Sequence, residues 1–119
     1  MKENIIGDIS GTYALKIITT YKKLKENKKE SVMSKQLLRS GTSIGANIME
    51  SEFAQSKADF ISKLSISLKE ANETRYWLML LVRSGYLSDT EHRPLLNDCE
   101  LIIGLLVRSI KTAKSNITK

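Results

Sequence analysis

The stretch SKADFISKLSISLKEANETRYWLMLLVRSG, residues 56–85, decides how the chain is read. Ser56 followed three residues later by Asp59 is a capping box, which satisfies backbone N–H groups at a helix start. From there Phe60, Leu64, Ser67, Ala71, Thr74, Leu78 and Leu81 recur at alternating spacings of four and three. That is the heptad pattern of a helix packed along one seam. Arg83-Ser84-Gly85 supplies the stop, with Gly85 suited to the residue just past a helix end. A helix over 57–84 would be about 42 Å long.

Upstream, Ser31 is the expected N-cap of another helix that carries Met33, Leu37, Ile44 and Ile48 inward and ends near Ser51. Its middle reads Arg39-Ser40-Gly41-Thr42-Ser43-Ile44-Gly45-Ala46-Asn47. Two glycines inside a helix cost about 2 kcal/mol together relative to alanine. Small residues at Ser40, Gly41, Gly45 and Ala46 would offset part of that by letting a neighbouring helix approach; a break in the helix is the alternative. Further upstream, Ile6, Ile9, Tyr13, Ile17, Tyr21 and Leu24 form one apolar stripe, predicting a helix from about Ile9 to Glu26. Downstream, Ser88 to Glu91 is a second capping box. Pro94 lies uncomfortably far inside that start, so either the first turn is separate or the long helix begins nearer Arg93. Leu95, Leu96, Cys99, Ile102, Ile103, Leu106 and Ile110 give its inward stripe, and the tail from Thr112 is expected to fray.

Four long amphipathic helices joined by short connections predict an all-α, up-down-up-down antiparallel four-helix bundle. The 119 residues, with one proline and 41% hydrophobic content, suit a single domain over 1–119. One cysteine and one histidine exclude a disulfide framework and a zinc site of His and Cys within one chain. A lone thiol and a start without a long apolar segment point to the cytoplasm.

Two segments, residues 77–82 and 101–107, are apolar on every side. A helix in a small bundle needs one apolar face, so the surplus predicts a subunit interface that includes Trp77, Met79, Leu80, Leu101 and Leu105. The bland alternative is deeper burial within one chain.

The net charge of +6 is uneven. Residues 16–30 hold six lysines against Glu26 and Glu30, and residues 101–119 hold four bases and no acid. In an up-down bundle these clusters fall at opposite ends. Lys22, Lys23, Lys25, Lys28 and Lys29 are joined at the first end by Lys35, Arg39, Arg83 and Arg93, which makes that end the better anion surface. Solvated lysine loops and cations at helix C-termini explain the same pattern without a ligand.

No reaction chemistry stands out. Residues 41–45 lack the Gly-Lys-Ser/Thr of a phosphate loop. Glu50, Glu70 and Glu73 lack the Glu-x-x-His partners of a di-iron bundle, and Cys99 sits on an apolar stripe without a catalytic histidine. Asn47, Glu50, Glu70, Asn72 and Glu73 read as interhelical hydrogen bonds or ion pairs with Lys63, Lys69 and Arg75, or as groups fixing subunit register.

The run Arg39-Ser40-Gly41-Thr42-Ser43-Ile44-Gly45-Ala46-Asn47-Ile48, followed by Glu50, is similar to the signature of bacterial four-helix bundle proteins related to the 23S rRNA intervening-sequence protein. Residues 56–78 resemble the third helix of the same family. The family motif falls here on Ser40, Ser43, Asn47, Glu50, Asp59, Glu70 and Glu73 as structural signatures, with no catalytic group among them. The resemblance implies a homopentameric ring. It also implies kinship with the accessory variability protein of diversity-generating retroelements, a basic pentamer held to bind nucleic acid and reverse transcriptase. The ribosomal-protein label sometimes attached to the family rests on gene location. The expectation is therefore a non-enzymatic oligomer without cofactor or metal, binding RNA or structured DNA through its more basic end, with a reverse transcriptase as a further partner. A protein–protein adaptor whose surface bases serve only solubility is the competing expectation.

Overall fold

The computed structural model describes residues 4–117, and these form four helices: α1 (Ile5–Asn27), α2 (Val32–Ser51), α3 (Lys57–Arg83) and α4 (Asp89–Ile117). Each helix packs on its neighbours in the chain, and α4 closes the ring against α1 through the thinnest of the four contacts. The molecule is a rod of 52 × 24 × 20 Å with two distinct ends. One end, the tip, carries the α1–α2 and α3–α4 turns; the other carries the α2–α3 turn, the start of α1 and the end of α4.

The heptad of α3 is the middle of the core. Leu64, Ser67, Ala71, Thr74, Leu78 and Leu81 are all buried, with Phe60 half-buried at the seam's start. Tyr13, Ile17 and Leu24 of α1, Leu37, Ile44 and Ile48 of α2, and Leu95, Cys99, Ile102, Leu106 and Ile110 of α4 meet them. The polar atoms buried there are paired across helices. Ser67 Oγ donates to the Ile44 carbonyl at 2.8 Å, and Thr74 Oγ1 lies 2.9 Å from Ser40 Oγ. Cys99 Sγ donates to the Ala71 carbonyl at 3.2 Å, and Tyr13 Oη to the Leu95 carbonyl at 3.0 Å. Burial pushes the Cys99 thiol up to about 11, which suits a core residue rather than a nucleophile.

The glycines of α2 do not break it. A Cβ on Gly41 would stand 2.9 Å from Ile17 Cγ1 and Cγ2, and one on Gly45 would stand 3.3 Å from Ser10 Oγ. The missing side chains are what let α1 and α2 approach.

The observed helices correct the expected boundaries in four places. α1 begins at Ile5 rather than Ile9, because Asn4 Oδ1 accepts from Gly7 N at 3.0 Å and caps the extra turn. Ser31 stands at the N-cap position of α2 but makes no side-chain cap. Glu30 replaces it: its Oε2 accepts from the N–H groups of Val32 and Met33, and its Oε1 from that of Ser34 at 2.8 Å. Helix α4 runs unbroken from Asp89 through Pro94. Both halves of the Ser88–Glu91 box form, which fixes the start, while buried Leu87 and Leu95 hold the first turns to the core. Nor does α4 fray at Thr112: Ala113 is buried and the helix continues to Ile117.

At the end of α3 the expected glycine cap forms in full. Gly85 adopts φ +87°, Tyr86 N donates to the Leu81 carbonyl at 2.9 Å, and Gly85 N donates to that of Val82 at 3.2 Å.

Candidate nucleic-acid interface

Lys22, Lys23, Lys25, Lys28 and Lys29 occupy the last two turns of α1 and the residues just beyond it, and all five are exposed. Lys29 holds the left-handed conformation, φ +56°, that reverses the chain into α2. Lys25 Nζ stands 6.0 Å from the centroid of the Tyr21 ring. Among the described residues, none of the five has a carboxylate within ion-pair distance. Lys35 is exposed one turn into α2, and Arg93 is exposed in the second turn of α4. Arg83, exposed as the last residue of α3, stands at the same end with no carboxylate at ion-pair distance among the described residues, so the tip gathers eight of the nine expected bases as free cations.

Arg83 also lines the end of a groove between α3 and α4 that includes Tyr76, Met79, His92 and Glu100. The ninth base is differently placed. Arg39 lies about 10 Å down α2 from its first residue. Its Nη1 meets Glu70 Oε1 at 3.2 Å, its Nη2 bonds Glu73 Oε1, and Trp77 Nε1 donates to the same Glu73 oxygen at 3.3 Å. The Arg39 guanidinium holds the Glu73 carboxyl below the usual carboxylate range. This cluster clamps α2 to α3, so the Arg39 charge is already neutralised by its own chain.

A cleft of about 340 Å³ opens in the tip between α1 and α4. Farther from the tip, the Lys16–Asp98 ion pair at 2.8 Å and the Tyr13–Leu95 bond tie these helices together. Toward the tip they separate. Buried Leu24, Leu87 and Leu95 floor the cleft; Lys23, Asn27 and Lys28 stand on the α1 side, and Tyr86, Thr90 and Pro94 on the other. Glu91 is the one acid that lines it, engaged by the Ser88 backbone N–H at 2.9 Å and held low chiefly by that bond, with Lys23 and Lys28 adding to the effect. The cleft was not legible in the sequence, because two stretches far apart in the chain, residues 16–28 and 86–95, meet to make it.

The model of the 23S rRNA-intervening sequence protein family matches residues 2–108 of the chain. The chain belongs to this family. A crystal structure of a protein of unknown function from the S23 ribosomal protein family, from Bacteroides thetaiotaomicron VPI-5482, is similar over 90% of this chain and 99% of that one, with 54% identity and a TM-score of 0.89. No curated protein matches.

In this 23S rRNA-intervening sequence family member the motif residues have local tasks. Ser40 meets Thr74 across α2 and α3, Ser43 Oγ donates to the Arg39 carbonyl at 2.6 Å, and Asn47 Nδ2 donates to that of Ser43 at 2.8 Å. Glu50 pairs with Lys63 at 3.2 Å, and Asp59 Oδ2 accepts from Gln55 N at the start of α3. Arg75 turns to Asn72 and Glu100 instead. Among the described residues no three His, Cys, Asp or Glu side chains are grouped to hold a metal ion, and no helix is long and apolar enough to cross a membrane.

The expected interface residues are only partly covered by their own chain. Leu78, Leu81, Ile102 and Leu106 take the core positions of the two apolar segments. Trp77, Met79, Leu80 and Leu105 remain half-buried, while Leu101 is 49% exposed. Larger exposures lie outside the expected set, among them Val32 at 76% near the tip, Leu15 at 66% on α1, and Met49 at 64% and Phe53 at 82% at the α2–α3 turn. None of these belongs to an all-apolar run, the signal that points to 77–82 and 101–107.

Proposed function

We propose that this protein is a non-enzymatic homo-oligomer, a pentamer by its family resemblance, that binds nucleic acid through the lysine-rich tip. The observation that carries the reading is the set of five exposed lysines between Lys22 and Lys29 with no carboxylate partner among the described residues. Free cations release counterions from a phosphate backbone when they bind it, whereas cations already paired on the protein contribute little. Assembly multiplies the effect, because a ring would set several tips side by side. The half-exposed leucines and Trp77 of α3 and α4 support assembly, since apolar surface left uncovered by its own chain can mark an interaction site.

The adaptor reading has one observation in its favour, the exposed Met49 and Phe53 at the end opposite the lysines. Titrating RNA and duplex DNA against the protein across a salt series separates the two. Salt-sensitive binding supports the nucleic-acid reading; absent or salt-insensitive binding leaves the adaptor. Sedimentation velocity at micromolar protein should give a species several times the 13.4 kDa chain mass, and a monomer would contradict assembly.

A further inference from the structure

Pro94 is the sixth residue of α4 and lies exposed in the tip cleft. A proline this far inside a helix is destabilising, because its nitrogen carries no hydrogen for the carbonyl four residues back and its ring crowds that carbonyl. Here the carbonyl belongs to Thr90, which also lines the cleft. Stability is given up at a position that shapes a concave surface, the kind of local exception expected at a functional site.

We propose that the cleft takes the base of an unpaired nucleotide, so that the tip engages single-stranded segments in preference to duplex. The inference rests on the nucleic-acid reading of the same tip and names which form of the polymer it suits. The volume, about 340 Å³, lies within the range of about 300 to 1,000 Å³ typical of small-ligand sites. Its floor is leucine, which suits the apolar face of a base; Tyr86 brings an aromatic ring for stacking and Pro94 an apolar ring for packing. Thr90 and Asn27 both line the cleft, and a threonine hydroxyl and an asparagine amide can each donate and accept at a base edge. Lys23 and Lys28 stand at the rim, where the phosphates flanking such a base would lie. Glu91 opposes them in charge, but the Ser88 N–H already engages its carboxylate. Bases inside a duplex are stacked and paired and cannot enter a cleft without being flipped out, which costs several interactions.

The test is fluorescence anisotropy with a labelled short oligoadenylate, an abasic strand of the same length and phosphate count, and a blunt duplex. The strands are titrated against the full chain, against Pro94→Ala, and against a variant with Lys22, Lys23, Lys25, Lys28 and Lys29 replaced by glutamine. The oligoadenylate should bind about fivefold or more tighter than the abasic strand, the scale of one stacked base. Pro94→Ala should shrink that preference while raising the melting temperature, so weaker binding cannot be put down to damaged folding. Equal affinity for the oligoadenylate and the abasic strand would overturn the cleft proposal. If the glutamine variant still lost affinity in that case, the lysine-rich tip would stand as a backbone-binding surface. Absence of binding to all three, or binding that the glutamine variant retains, would overturn both readings.

Discussion

Two glycines on the same bundle respond oppositely to a methyl group. Gly41 faces the buried, β-branched Ile17 at a separation that a Cβ cannot share, while Gly11 on α1 is exposed with nothing within 4 Å of a Cβ. Gly41→Ala should therefore destabilise by up to about 2 kcal/mol, overpacking outweighing the gain in helix propensity. Gly11→Ala should stabilise by about 0.4 to 1 kcal/mol. Thermal melts of the two variants read this directly, at about 4 °C per kcal/mol for a chain of this size. The Arg39 cluster gives a pH signature. The Glu73 carboxyl is held low by the Arg39 guanidinium, so its contribution is fully present above its ordinary value near 4.5 and is lost as pH falls through the lower folded value. Arg39→Gln should flatten the loss of urea midpoint between about pH 5 and pH 3, with Glu91, held low by the Ser88 N–H, supplying much of what remains. An unchanged acid limb would show that the pair contributes nothing to folding.

At the scale of helices and turns, what could be read from the sequence was what is local. The α3 heptad, the serine caps at Ser56 and Ser88 and Gly85 each depend on residues within one or two turns, and each forms as the spacing predicts, except that the Asp59 carboxylate turns to Gln55 N rather than back to the N–H of Ser56. The misses depend on partners that a spacing rule does not register. Glu30 looked like one more solvated charge in a polar break, yet it is 7% exposed and caps three N–H groups of α2. The Ser31 side chain, in the expected place, does nothing. Glu30→Ala should cost about 1 to 2 kcal/mol and Glu30→Gln less, measured by urea denaturation; Ser31→Ala should be nearly neutral. A large loss from Ser31→Ala would assign the cap back to the serine. A proline inside a helix start predicts a separate first turn or a start nearer Arg93; here the capping box ahead of it and the buried leucines on either side carry the helix through.

For the whole rod, charge and apolar surface divide along its length and its faces. The uneven distribution of bases was legible because it is a count along the chain, and the bundle topology turned it into two ends. Which bases are free was not legible, because Arg39 is neutralised by Glu70 and Glu73, 31 and 34 residues further on, while the lysines of the α1–α2 turn are left unpaired. The surplus of apolar residues on α3 and α4 was read as a second buried surface, and part of it remains open on the single chain, with Met49 and Phe53 adding an exposure at the far end.

The most direct test of the lysine-rich tip as the nucleic-acid surface compares the two ends in one assay. Duplex affinity is measured across a salt series for the full chain, for a variant with Lys22, Lys23, Lys25, Lys28 and Lys29 changed to glutamine, and for one with Arg108, Lys111 and Lys114 changed likewise. Each phosphate contact contributes about 0.9 to the slope of log affinity against log salt, so the tip variant should lose up to about 4 or 5 from that slope and the far-end variant less than about 1. Equal losses from the two variants, or a slope that neither changes, would contradict the account.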